Sequence, residues 1–175
     1  MKKIEIRRHA LKDSGPRKDM LSPEGIEQAR KVGAEQMKGK GYTQIVVSEL
    51  FRTSQTAAAM AEGAGDFTAA SLTVSPALFT TRMAELVAYV KEHGAVVKAN
   101  HPLIMAEAMR MGTQFQTFVA LLPDDAHELA VGHSPLLETL VFGLTGKVIS
   151  PLKECEGVIL TFDGKDFTIV EEIRL

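Results

Sequence analysis

Two hydrophobic rhythms take turns along this chain. Ile4 and Ile6 alternate with charged neighbours, which predicts a short strand over 3–8 that stops at Arg8-His9-Ala10. The stretch 11–21 holds Gly15 and Pro16 and reads as a loop. Ser22-Pro23-Glu24 has the marks of a helix start: a hydroxyl at the N-cap, proline at the first helical position and an acid at the positive helix end. Ile26, Ala29, Val32, Gly33, Gln36 and Met37 then recur at helical spacing until Gly39-Lys40-Gly41 ends the run. The β-branched run 44–48 predicts a buried strand, followed by a helix over 51–62 that Gly63 ends. Leu72-Thr73-Val74 reads as a third strand. Met83, Leu86, Val87 and Val90 mark a third helix closed by His93-Gly94. A fourth helix spans 102–122, interrupted at Gly112, and a fourth strand spans 129–132. Ser134-Pro135 opens a fifth helix, with Ser134 as its cap, that ends near Gly146. The segments 157–162 and 167–174 flank Asp163-Gly164-Lys165-Asp166 and predict a hairpin.

Strands separated by helices imply parallel pairing. The expectation is an α/β fold: a three-layer α/β/α sandwich with a mainly parallel sheet and a C-terminal antiparallel hairpin at its edge. The 175 residues fit a single domain, 1–175, in which 79–122 is the one insertion large enough to cap a site. With 45% hydrophobic and 24% charged residues the composition is that of an ordinary globular chain. The charge balance, 20 − 22 = −2, argues against duplex nucleic acid as a partner, since that requires a strongly basic face. No apolar run approaches the roughly 20 residues of a membrane span. The basic start, Met1-Lys2-Lys3, lacks the apolar core of a secretory signal. Cys155 is the only cysteine, which excludes an internal disulfide and a cysteine zinc cluster. A cytoplasmic protein without membrane or nucleic-acid partners is expected.

In an open α/β sheet, ligands bind at the carboxyl ends of the parallel strands. Arg8 and His9 follow the first strand, Ser48 and then Arg52-Thr53 follow the second, and His133 with Ser134 follows the fourth. Two Arg and two His thus converge on one sheet edge with no Asp or Glu among them. That combination attracts a dianion, above all a phosphoryl group, and disfavours a metal site. A charge pair at ~4 Å gains about 4 kcal/mol at an effective dielectric of 20. Each charge-assisted hydrogen bond adds roughly 1.5–3 kcal/mol. Arginine forks match phosphate oxygens in pairs, and the helices starting near Arg52 and Ser134 aim their N–H groups the same way. For the chemistry itself a covalent intermediate would split a very slow reaction into two steps. Cys155 lies in a charged late segment, away from the strand ends, and no GxxxxGK[ST] loop is present. His9 remains as the nucleophile, with the neighbouring Arg8 favouring its neutral ring. His133 is positioned to donate to the transferring group.

These residues sit in blocks that resemble the histidine phosphatase superfamily, the phosphoglycerate-mutase-like fold. Arg8-His9-Ala10 resembles its Arg-His-Gly signature. The segment 21–29, LSPEGIEQA, is similar to its L-[ST]-x-x-G-x-x-Q-A helix start, and 48–57, SELFRTSQTA, to its S-x-x-x-R-[TA]-x-Q-T-A block. Val131-Gly132-His133-Ser134-Pro135, with Leu144-Thr145-Gly146 beyond, is similar to V-G-H-x-P…L-T-G. The blocks come in the family's order and span most of the chain. The resemblance implies that His9 is phosphorylated and that Arg8, Arg52 and His133 bind phosphate; neither a cofactor nor a metal is expected. Its compact length is most like the small phosphohistidine-phosphatase-type members.

Three positions depart from the pattern. Ala10 replaces Gly. Asp19 stands nearest the place where small members carry an Arg, with Arg17 and Lys18 just upstream. No acid motif follows the third strand, where Phe79-Thr80-Thr81 lies. Glu85 is the nearest candidate proton donor and Glu107 a more remote one. A phosphohistidine substrate needs less help, because its leaving group is better.

The expected function is therefore a metal-independent phosphatase acting on a phosphorylated small molecule or phosphoprotein. A mutase, or a non-catalytic phosphate-binding module, is the alternative. Elsewhere the residues have structural readings: Arg7, His93 and His127 as surface groups, His101 as a loop histidine, and Glu138 as a brace of the fold.

Overall fold

A computed structural model of the chain describes residues 1–65 and 71–175. Strands β1 (Lys2–Arg8), β2 (Gln44–Val47), β3 (Ser71–Val74), β4 (His127–Gly132), β5 (Gly157–Phe162) and β6 (Phe167–Ile173) form one sheet in the order β3-β2-β4-β1-β5-β6. β1 to β4 run parallel, and β5 and β6 add the antiparallel hairpin at one edge. Gly164, at φ 108, and the Asp163 carboxylate, which accepts from the Lys165 and Asp166 N–H groups, make its turn.

The pairing sets which side chains share a face. Ile4, Ile6, Val46, Ala130, Val158 and Leu160 point to one side and pack under α4 (Pro102–Ala120), α5 (Leu136–Thr145) and the 3₁₀ turn Pro76–Leu78. Ile45, Val47, Leu129 and Val131 point to the other, under α1 (Pro23–Val32) and α2 (Phe51–Ala64). Helices therefore cover both faces, and the expected three layers are present.

That double cover corrects the reading of Arg7. Its alternation with isoleucine looks like a solvent face, yet the Arg7 side chain is fully buried beneath the π-helical turn Gly33–Met37. Arg7 Nε donates to Glu5 Oε1 (2.8 Å), Nη1 to the Cys155 carbonyl (2.8 Å) and Nη2 to Gln36 Oε1 (3.0 Å). Lys40 Nζ and the Tyr42 hydroxyl donate to Glu5 Oε2. Every charge on this inward face is paired, as burial demands.

Two glycines read as helix breakers serve as contact points instead. α2 continues through Gly63 and is capped by Gly65 at φ 72. A Cβ on Gly63 would lie 2.0 Å from the Arg30 carbonyl of α1, so glycine is what lets these helices touch. α4 is likewise unbroken at Gly112, which meets Gly143 of α5. Ser134 does not cap α5 either: its hydroxyl donates to Glu138 Oε1 at 2.5 Å, and Pro135 is the N-cap.

The segment 79–122 divides in two. α4 places Met111, Phe115 and Val119 in the core layer beside α5. The helix before it, α3 (Met83–His93), buries Leu86 in that core and leaves Met83 and Val87 exposed. On the same face of the sheet as Ile4 lies Glu128, fully buried, with neither carboxylate oxygen hydrogen-bonded. Burial alone pushes its carboxyl up to about 8. Among the described residues no helix is long and apolar enough to cross a membrane.

Candidate active site

The carboxyl ends of β1, β2 and β4 are adjacent in the sheet, so the residues leaving them meet at one point. The His9 N–H bonds to the Gly132 carbonyl and the Ser48 N–H to the Val131 carbonyl, tying the three ends together. The imidazoles of His9 and His133 lie 5.1 Å apart, centroid to centroid, tilted by 57°. Both are buried.

His9 Nδ1 lies 2.7 Å from the Ala10 carbonyl oxygen. A carbonyl only accepts, so the ring proton is on Nδ1 and Nε2 carries the lone pair. Burial pushes the His9 imidazole down to about 4, helped by the cationic Arg52 and Arg8, while the Ala10 bond and Glu154 act the other way. Burial also dominates at His133, pushed down to about 2, with His9, Arg52, Arg8 and Lys12 adding to the effect. His133 Nε2 is 2.7 Å from Ser48 Oγ, and its buried Nδ1 has no partner.

Arg8 is held from behind. Nη1 donates to the Leu152 carbonyl (2.6 Å) and Nη2 pairs with Glu154 (2.8 Å), which leaves the buried Nε without a partner. Arg52, in the first turn of α2, lies 3.5 Å from Asp19 through Nη1, and its buried Nε is likewise unpartnered. Each guanidinium is close enough to depress both imidazoles, so all four groups form one electrostatic cluster. Ala10 fits without backbone strain, since Cys155 is the only non-glycine with positive φ among the described residues. The Ala10 N–H donates to Thr56 Oγ1 at 3.0 Å, which fixes the backbone beside His9.

Other sequence-selected residues stand apart. Glu85 lies on an exposed turn of α3, forked to Arg82 at 2.6 and 2.8 Å, and that pairing holds its carboxyl below the usual range. Glu107 is buried and paired with Arg110. Glu138 accepts from Ser134 and from the Leu152 N–H, so it braces the loop that also holds Arg8. His127 is buried rather than on the surface, with Nδ1 donating to the Lys40 carbonyl and its ring against Tyr42. His93 packs against Tyr89 and His101, and His101 Nδ1 accepts the Leu103 N–H, capping α4. Cys155 lies beside β1, not away from it: its N–H points at the Arg8 and His9 carbonyls, and burial pushes its thiol up to about 12. Lys12 and Glu154 are the site's neighbours that the sequence did not single out. Glu154 comes from a loop whose return to the site depends on long-range folding, whereas Lys12 is three residues from His9 on the loop after β1.

Similarity to known proteins agrees with this architecture. The profile of the histidine phosphatase superfamily (branch 1) matches residues 8–99, just over half of the chain. The chain belongs to the histidine phosphatase superfamily. No curated sequence matches it. Among solved structures, phosphoserine phosphatase from Entamoeba histolytica in complex with 3-phosphoglyceric acid aligns over 100% of this chain and 98% of its own, at 17% identity and a TM-score of 0.70. Native mycobacterial glucosyl-3-phosphoglycerate phosphatase aligns over 97% of each chain, at 19% identity and a TM-score of 0.72. The protein histidine phosphatase SixA complexed with tungstate aligns over 98% of this chain and 96% of its own, at 18% identity and a TM-score of 0.64.

Proposed function

We propose that the chain is a metal-independent phosphatase that hydrolyses a phosphomonoester or a phosphohistidine through a phosphohistidine intermediate on His9. The observation that carries this reading is the His9 hydrogen bond. With Nδ1 donating to the Ala10 carbonyl at 2.7 Å, a neutral Nε2 presents its lone pair at the sheet edge. In the first step Nε2 forms the N–P bond while the bond from phosphorus to the leaving group breaks, and the departing group takes a proton from water. In the second step water attacks phosphorus, the N–P bond breaks, and phosphate leaves with His9 neutral again. The Arg8 and Arg52 guanidiniums, clustered with both imidazoles, hold the phosphoryl oxygens. In this scheme Ser48 Oγ, 2.7 Å from His133 Nε2, is the donor of that pair, which puts the ring's proton on Nδ1 to serve the same group.

Glu85 is a poor proton donor in this scheme, because Arg82 holds it as a carboxylate. The reading therefore favours a substrate whose leaving group departs easily, a phosphohistidine or an activated ester. The similar structures, a phosphoserine phosphatase, a glucosyl-3-phosphoglycerate phosphatase and a protein histidine phosphatase, support the reaction class. We also take 1–175 as one domain, with α3 rather than α4 as the part that walls the site. Turnover of an aryl phosphate in excess chelator, lost in His9→Ala, is the expected result. Full activity in that variant overturns the mechanism. Product analysis with phosphoglycerate distinguishes free phosphate from an isomer, and so a phosphatase from a mutase.

A further inference from the structure

Beside the cluster of guanidiniums and imidazoles lies an apolar groove. Met83, Leu86, Val87, Val90 and Lys91 of α3 line it on one side, and Ser134 and Pro135 on the other, enclosing about 250 Å³. The α3 residues recur every three to four positions, so they form one stripe about 12 Å long along the helix. Met83 is 37% and Val87 46% exposed, although Leu86 on the same stripe is buried. The opposite wall is the continuation of His133, so the groove starts within two residues of a phosphate-binding side chain.

We propose, building on the phosphatase reading above, that this groove receives the leaving group, and that the substrate class is a phosphate carried on an extended apolar body. Three features point there. In-line attack from His9 sends the leaving group outward from the strand ends, away from the sheet. The groove opens from the His133 loop at that same edge. Its lining is aliphatic, with Lys91 as its one charged side chain, so a polyhydroxylated sugar or glycerate would find almost no hydrogen-bonding partners there. An apolar body gains by displacing water from it.

The test uses 4-alkylphenyl phosphates from methyl to pentyl, whose phenols differ little in acidity, so chain length changes burial and not reactivity. The expected kcat/KM rises roughly two- to fourfold per methylene until the groove is filled. Val87→Asp flattens that slope, and Met83→Gln does so independently should the first variant fold poorly. A flat series in the wild type overturns the proposal, and so does a slope kept in both variants. The matching 4-alkylbenzylphosphonates, titrated by calorimetry, give the same slope in affinity without turnover. Chain-length-dependent binding with no hydrolysis would therefore refute the catalytic reading while leaving the groove standing. Hydrolysis without chain-length dependence does the reverse.

Discussion

Glu128 offers a sharp test of how this sheet is packed. The carboxyl is fully buried on β4 beside Ile4, makes no hydrogen bond and is pushed up to about 8 by burial. In the unfolded chain the same group ionises near 4.5. A folded value above the unfolded one means that the native state holds the proton more tightly. Its contribution to stability is then complete below 4.5 and is lost as pH rises through about 8. At 1.36 kcal/mol per pH unit, the full loss is about 5 kcal/mol, of which about 3 kcal/mol falls between pH 5.5 and 8.5. That is a large part of the roughly 5–15 kcal/mol that holds a domain together. Glu128→Gln keeps the shape and removes the ionisation. Urea unfolding of wild type and variant at both pH values isolates the group, because other titrations cancel in the double difference. The variant should gain about 3 kcal/mol more at pH 8.5 than at pH 5.5, or roughly 6–12 °C in Tm. Equal gains at the two pH values, within about 1 kcal/mol, would refute a buried neutral carboxyl at this position.

Other expectations concern the site. Because His9 is pushed down to about 4 and His133 to about 2, neither ring signal should titrate between pH 5.5 and 8 by NMR; a His9 midpoint near 6.5 contradicts its burial among cations. Arg52→Ala removes one of the two guanidiniums of the cluster and should lower kcat/KM by roughly 10²–10³, the scale of a lost transition-state donor, with Arg52→Lys recovering only part of it. Ser48→Ala frees the His133 tautomer, so kcat should fall about tenfold or more while the melting temperature moves little; an unchanged kcat removes Ser48 from the mechanism.

The strand ends were legible in the sequence because a parallel sheet delivers them to one edge whatever the details of packing. That is why Arg8, His9, Arg52 and His133 were selected together, and the structure brings them within electrostatic reach of one another. Arg7 was misread because a period of two says which residues share a face, not whether that face is wet. With helices on both sides, Glu5 and Arg7 are as buried as Ile4 and Ile6. Gly63 and Gly112 were misread for a related reason: a glycine that ends a helix and one that lets another helix approach look alike in one dimension. Cys155, Glu154 and Lys12 carry no local pattern at all. Cys155 and Glu154 come near His9 only when the segment before β5 closes on the sheet edge, and Lys12 nears His133 only when the loop after β1 folds back.

The hydrogen bond from the His9 ring to the next residue's carbonyl has a regiochemical consequence. Free histidine is phosphorylated at either nitrogen, giving two isomers of different lability. Here one nitrogen is committed to the backbone, so the proposed phosphorylation of His9 yields the tele isomer alone, the one in which the phosphorus sits on the ring atom farther from the main chain.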